Sequence, residues 1–167
     1  MRRATIAVLL AAVAAAFTAG PAFADDQSVY DAFVSQDAKV GRLGKEFRRG
    51  LKVWKRSHYR RDGRALAALD KVLAALAQVD RSVAAETASS DHGRAARTAA
   101  LADLRHLRRA SVLVRKGIVE VTHHHPHRAL RHSKAAKRLI RLGQGDEQRA
   151  RREFKAAGIT VAPGAGP

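Results

Sequence analysis

Apolar residues recur along most of this chain at steps of three, four and seven, the period of a helix buried on one face. Val29, Phe33, Val40, Leu43, Phe47, Leu51 and Trp54 form the first stripe. Ser28, with Asp31 three residues on, predicts a capping box at its start. Gly41, Gly44 and Gly50 each weaken this helix by about 1 kcal/mol relative to Ala and predict a kink or break near Gly41–Gly44. Ser57 to Arg61 reads as a turn. Asp62 is placed to cap a second helix, Gly63 to Ala88, whose stripe is Leu66, Leu69, Val72, Leu76, Val79 and Val83. Ser89-Ser90-Asp91 is a third capping cluster. It opens a helix from His92 to Glu120 with Ala99, Leu104, Val114 and Ile118 inward. Residues 111–121 are rich in β-branched side chains, but a lone strand without a partner does not hold, so the stretch is read as helix.

Thr122-His123-His124-His125-Pro126 interrupts the pattern. Pro126 suits the first turn of a fourth helix, with Ala135, Leu139 and Leu142 as its apolar face. Gly143 and Gly145 are expected to stop it. Asp146 then caps a last short helix through Ala157, anchored by Phe154 and ended by Gly158. The expected fold is all-α: an antiparallel helical bundle of three long helices plus two shorter C-terminal helices. One domain covers residues 25–158, and the Pro/Gly/Ala-rich stretch 159–167 reads as a flexible tail.

The stretch before this domain has a different texture. Arg2 and Arg3 precede the apolar run Ile6 to Phe17; Pro21 then breaks the helix, and Ala22-Phe23-Ala24 supplies small residues around a cleavage point. These are the three parts of a secretory signal peptide, residues 1–24. A membrane anchor is the competing reading, but the run is short for a span and rich in Ala. Export with cleavage near Ala24 is expected, to a secreted or extracytoplasmic location.

Composition narrows the function. The chain has 167 residues, 32 Lys and Arg against 15 Asp and Glu, and no Cys. Disulfides, Cys-ligated metals and cysteine nucleophiles are therefore excluded. Much of the apolar content is Ala, which leaves few large residues to line a pocket. The excess of Arg over Lys fits a GC-rich bacterial gene. There is no P-loop, dinucleotide fingerprint or Gly-x-Ser-x-Gly. Ser57-His58 and His132-Ser133 are neighbours in sequence, without the orienting acid a nucleophile–base pair requires. No catalysis is expected.

Two basic rows stand out. Ten basic residues lie between Arg42 and Arg64 against two acidic ones. Arg48, Lys52 and Lys55 share a helical face, with Lys45, Arg49 and Arg56 beside it. Arg131, Lys134, Arg138 and Arg141 step along one face of the fourth helix, in a stretch with no acid. Arg105, Arg108, Arg109, Arg115 and Lys116 form a third patch. Same-sign rows repel, and an anionic surface relieves that cost. The plain alternative is a solvated face in a basic protein. Nucleic acid would bind in a salt-sensitive, non-specific way, since no aromatic platform is interleaved with the cations. Phe47, Leu51 and Trp54 could dip into an anionic membrane, but a core needs them too.

The other local feature is a histidine tract: His123, His124, His125 and His127 around Pro126, with His132 following. Imidazoles on a loop suit Zn²⁺ or Cu²⁺. Against that, Glu120 is the nearest carboxylate and the spacing of a structural site is missing. The expected function is non-catalytic binding of an anionic cell-envelope component or an acidic protein surface. The alternatives are extracytoplasmic metal binding by the histidines, and a structural or stress protein with no defined ligand.

Overall fold

A computed structural model describes residues 21–35 and 37–161. Among the described residues the fold is all-α with four helical arms, the first in two segments. Its N-terminal arm comprises two segments, α1 (Pro21–Val34) and α2 (Asp37–Arg56), followed by α3 (Gly63–Ala85), α4 (Asp91–Thr122) and α5 (Pro126–Ala156). The expected three long plus two shorter C-terminal helices do not form. Residues 126–156 make one 31-residue helix that passes through Gly143 and Gly145. Gly143 serves close packing rather than termination: a Cβ there would fall 2.7 Å from Asp103 Oδ1 of α4. Asp146, read as a cap, instead accepts a hydrogen bond from His106 Nδ1 across the same interface at 2.9 Å. Pro21, read as a helix breaker, is the first residue of α1. The signal reading falls largely on residues 1–20, outside the described residues, and its cleavage point lies in the first turn of α1.

α4 sits at the centre of an antiparallel layer with α3 on one side and α5 on the other; α2 packs on α3, and α1 lies across α3 and α4. Two cores result. The larger joins Val29, Tyr30 and Phe33 of α1 to Leu76, Val79 and Val83 of α3, Ala96, Ala100 and Leu104 of α4, and Ala150 and Phe154 of α5. The smaller, at the other end, surrounds Trp54, Ala65 and Ile118. The stripes of the first three sequence segments face inward as their period predicts. α5 differs from expectation. Its buried face is Ala129, Ala136, Gly143 and Ala150, at steps of seven, ending in Phe154. Small residues let the α4–α5 backbones approach, which moves Leu139 to a flank and leaves Ala135 and Leu142 exposed.

The local signals at helix ends divide. α2 runs unbroken through Gly41 and Gly44. Gly50 marks instead a tight crossing, where a Cβ would come 2.8 Å from the Ala65 backbone. Ser28 lies inside α1 and donates to the Asp25 carbonyl at 2.7 Å, so its capping box is absent. Asp62 holds the N-cap position of α3 without a side-chain bond. Ser90 does cap α4, accepting from Gly93 N–H at 2.8 Å. Residues 111–121 are helical.

Three helices end alike. After α2, α4 and α5 the chain closes with paired six-to-one and five-to-two backbone bonds: Tyr59 N–H to Trp54 and His58 N–H to Lys55, His125 to Glu120 and His124 to Val121, Ile159 to Phe154 and Gly158 to Lys155. This closure turns one residue left-handed. Gly158 supplies that residue after α5, whereas His124, at φ 62°, and His58, at φ 52°, do so without being glycine, and after α2 Tyr59 follows at φ 66°. His124→Gly should therefore raise stability by about 1 kcal/mol, read as a higher urea midpoint at unchanged slope. A lower midpoint would show that the exposed imidazole contributes more than the backbone strain costs.

Candidate functional site

All ten cations of the two basic rows are exposed: Lys45, Arg48, Arg49, Lys52, Lys55 and Arg56 on α2, and Arg131, Lys134, Arg138 and Arg141 on α5. The reason lies in the neighbouring stripes. Leu43, Gly50 and Trp54 turn α2 inward, and Ala129, Ala136 and Gly143 turn α5 inward, so the charges fall on the opposite arcs.

The ion pairs form elsewhere. Arg108 pairs with Asp80 at 2.9 Å and Arg115 with Asp70 at 2.9 Å, both linking α4 to α3. His92 meets Glu153 at 2.8 Å and His106 meets Asp146 at 2.9 Å, both linking α4 to α5. Arg94 pairs with Asp91, and Arg151 with Glu147 at 2.9 Å. On α2 the carboxylate of Glu46 turns to Lys71 of α3 at 3.7 Å. Among the described residues none of the ten row cations has a carboxylate partner within 4.0 Å. Glu46, Asp70, Asp80, Asp146 and Glu153 pair between helices, Asp91 and Glu147 pair within one, and the α2 and α5 rows are left without carboxylate partners. The third sequence patch is different: Arg108 and Arg115 are paired, and Arg105 Nε donates to the Leu101 carbonyl at 3.1 Å. Its charge is therefore partly neutralised.

The two rows lie on different helices, and Lys55 is the one member of either that lines the cleft between them. A cleft of about 520 Å³ opens between α2 and α5 over α4. Leu51 and Trp54 form its α2 wall, Val114, Gly117, Ile118 and Val121 its floor, and Leu130, Ala136 and Ile140 its α5 wall; Lys55 and Lys137 border it from opposite sides. Trp54 is held there by its own turn, donating Nε1–H to the Tyr59 carbonyl at 3.0 Å while the two rings meet edge to face at 4.9 Å. On the α3 side of the layer, Arg105, Arg109, Val112, Leu113, Leu73 and Leu139 surround a more open hollow of about 750 Å³.

The cleft was missed in the sequence. Leu130, Ser133, Lys137 and Ile140 follow helical spacing beside Ala129 and Ala136, and that second row was the available signal. It points to a site once α2 is known to pack on α3 and leave α5 uncovered.

The histidine tract occupies the α4–α5 turn. His123 follows α4, His124 is the left-handed residue, His125 precedes α5, and all three are exposed, as is His127. His132 is half-buried one turn and more along α5, near Gly117. Among the described residues no three His, Asp or Glu side chains come together in a group able to hold a metal ion. No helix among them is long and apolar enough to cross a membrane. Comparison of the chain with family models, with curated proteins and with solved structures gives no match.

Proposed function

We propose that this protein is exported and binds, without catalysis, an anionic component of the cell envelope through the cationic rows of α2 and α5. One observation carries the reading. Glu46, Asp70, Asp80, Asp146 and Glu153 pair across helix interfaces, while ten exposed cations on two helices have no carboxylate partner among the described residues. Unpaired rows of one sign raise the energy of the free protein, and a polyanion lowers it by replacing diffuse counterions with fixed ones.

The test is binding to poly(glycerol phosphate), followed against salt. Log Kd should rise linearly with log salt. Charge reversal at Arg48, Lys52, Arg131 and Arg138 together should reduce the slope by about 3, at roughly 0.7 per lost phosphate contact. Reversal at Arg94 and Arg115, which are already paired, should change it by less than half as much per residue. Equal effects from both sets would show that net charge alone drives binding. Salt-independent binding would defeat the polyanion reading.

A further inference from the structure

The cleft between α2 and α5 has a chemistry that a polyanion does not use. Its floor and walls are hydrocarbon: Ile118 and Val121 below, Leu51 and Trp54 on one side. On the other side Leu130 and Ile140 remain 53% and 37% exposed. Large apolar side chains left in water lower the free energy when something covers them. The volume lies within the roughly 300–1,000 Å³ range of small-molecule sites. The polar side chains among the described lining residues are Lys55, Lys137 and Ser133, and none of those residues is acidic. All three can donate hydrogen bonds, and two carry positive charge.

We propose that this cleft binds a single-chain alkyl anion, a long-chain carboxylate, with the hydrocarbon tail along Ile118 and Trp54 and the headgroup between Lys55 and Lys137. Charge complementarity selects this occupant. A neutral hydrocarbon would make no use of the two flanking lysines, and a cationic amphiphile would add a third like charge beside them. A hydrophilic polymer backbone would lose its hydration against Val121 and Leu51 without replacement. Two lysines act as point charges rather than a planar fork, which suits a compact anionic headgroup. The inference shares Lys55 with the α2 row and otherwise does not rest on polyanion binding by the outer arcs of α2 and α5.

Trp54 is the single tryptophan of the chain, so its fluorescence reports the cleft directly. The full chain is titrated with decanoate and laurate, each below its micellar concentration. Saturable binding with a change in Trp54 emission is expected, tightening about tenfold for two added methylenes. 1-Dodecanol should bind at least tenfold more weakly than laurate, and dodecyltrimethylammonium more weakly still. Lys55→Gln with Lys137→Gln should abolish the preference for laurate over dodecanol while leaving dodecanol binding within about twofold. Ser133→Phe, at an exposed position of α5, should block both ligands and leave poly(glycerol phosphate) binding intact. Equal affinity for the anionic and cationic amphiphiles would overturn the proposal. So would laurate binding that survives Ser133→Phe, or a Trp54 response to phosphatidylglycerol vesicles with none to monomeric laurate. Absence of laurate binding while salt-dependent polymer binding persists would sink this inference alone.

Discussion

Phe154→Ala should lower the unfolding free energy by about 3–5 kcal/mol, the largest single-residue loss expected in this chain. Phe154 is fully buried and is the one large side chain on the buried face of α5, whose other members are Ala and Gly. Its ring meets Tyr30 edge to face, with centroids 5.2 Å apart, and Phe33 at 6.3 Å. It thus joins the far end of α5 to α1 and the central core, while Ile159 folds back over it through the closure after Gly158. Truncation leaves a cavity bounded by helices whose close contacts at Gly143 and Ala150 limit their collapse. Urea unfolding should show the loss, with a fall in Tm on the order of 10 °C. Phe154→Leu fills most of the space and should cost about 1–1.5 kcal/mol. A Phe154→Ala loss below 1 kcal/mol would mean that α1 is not held by this cluster.

Asp26→Ala should cost about 2–4 kcal/mol. Asp26 is buried against the N-terminus of α4. Its Oδ1 accepts from Ser89 N–H at 3.0 Å and from Ser90 N–H at 3.4 Å, and its Oδ2 takes the Ser90 hydroxyl proton in a hydrogen bond. A carboxylate there meets both free N–H groups and the positive end of the helix. Asp25 beside it bonds the Ser89 hydroxyl, so the two acids tie α1 to the α3–α4 turn. Gly93 completes the arrangement, because a Cβ on it would fall inside the Asp26 carboxylate. Gly93→Ala should itself cost about 1–3 kcal/mol by overpacking. The double variant should lose less than the sum of the two, since the methyl enters space the carboxylate has left. Strict additivity by urea unfolding would show that the two residues do not share that space. Both acids lie after Ala24, so cleavage there would retain them.

These two sites differ in how far the sequence revealed them. Phe154 was legible as an anchor, because one aromatic in an Ala-rich helix has to be buried to stabilise it. Asp26 was not, because its partners lie more than sixty positions away and its immediate neighbours resemble any polar helix start. The same division runs through the candidate site. The α2 and α5 rows were legible from helical spacing. That they stay unpaired was not, since pairing depends on where Asp70, Asp80, Asp146 and Glu153 are brought by packing.

The sequence by itself determined the all-helical class, the inward stripes of the segments up to Thr122, the turns near Ser57, Ser89 and His123, and the arcs on which the cations fall. Each is a short-range property, set by backbone preference and by the 3.6-residue period of one helix. The tertiary structure alone decided that α5 continues through Gly143 and Gly145. There, close approach to Asp103 uses a glycine that, judged locally, ends a helix. It also decided that α2 rests on α3 rather than α5, which opens the cleft between Trp54 and Ile140. Helix periodicity says which face is buried, but not against which helix. That choice depends on contacts between residues far apart in the chain, where small side chains permit approach and large ones hold helices apart.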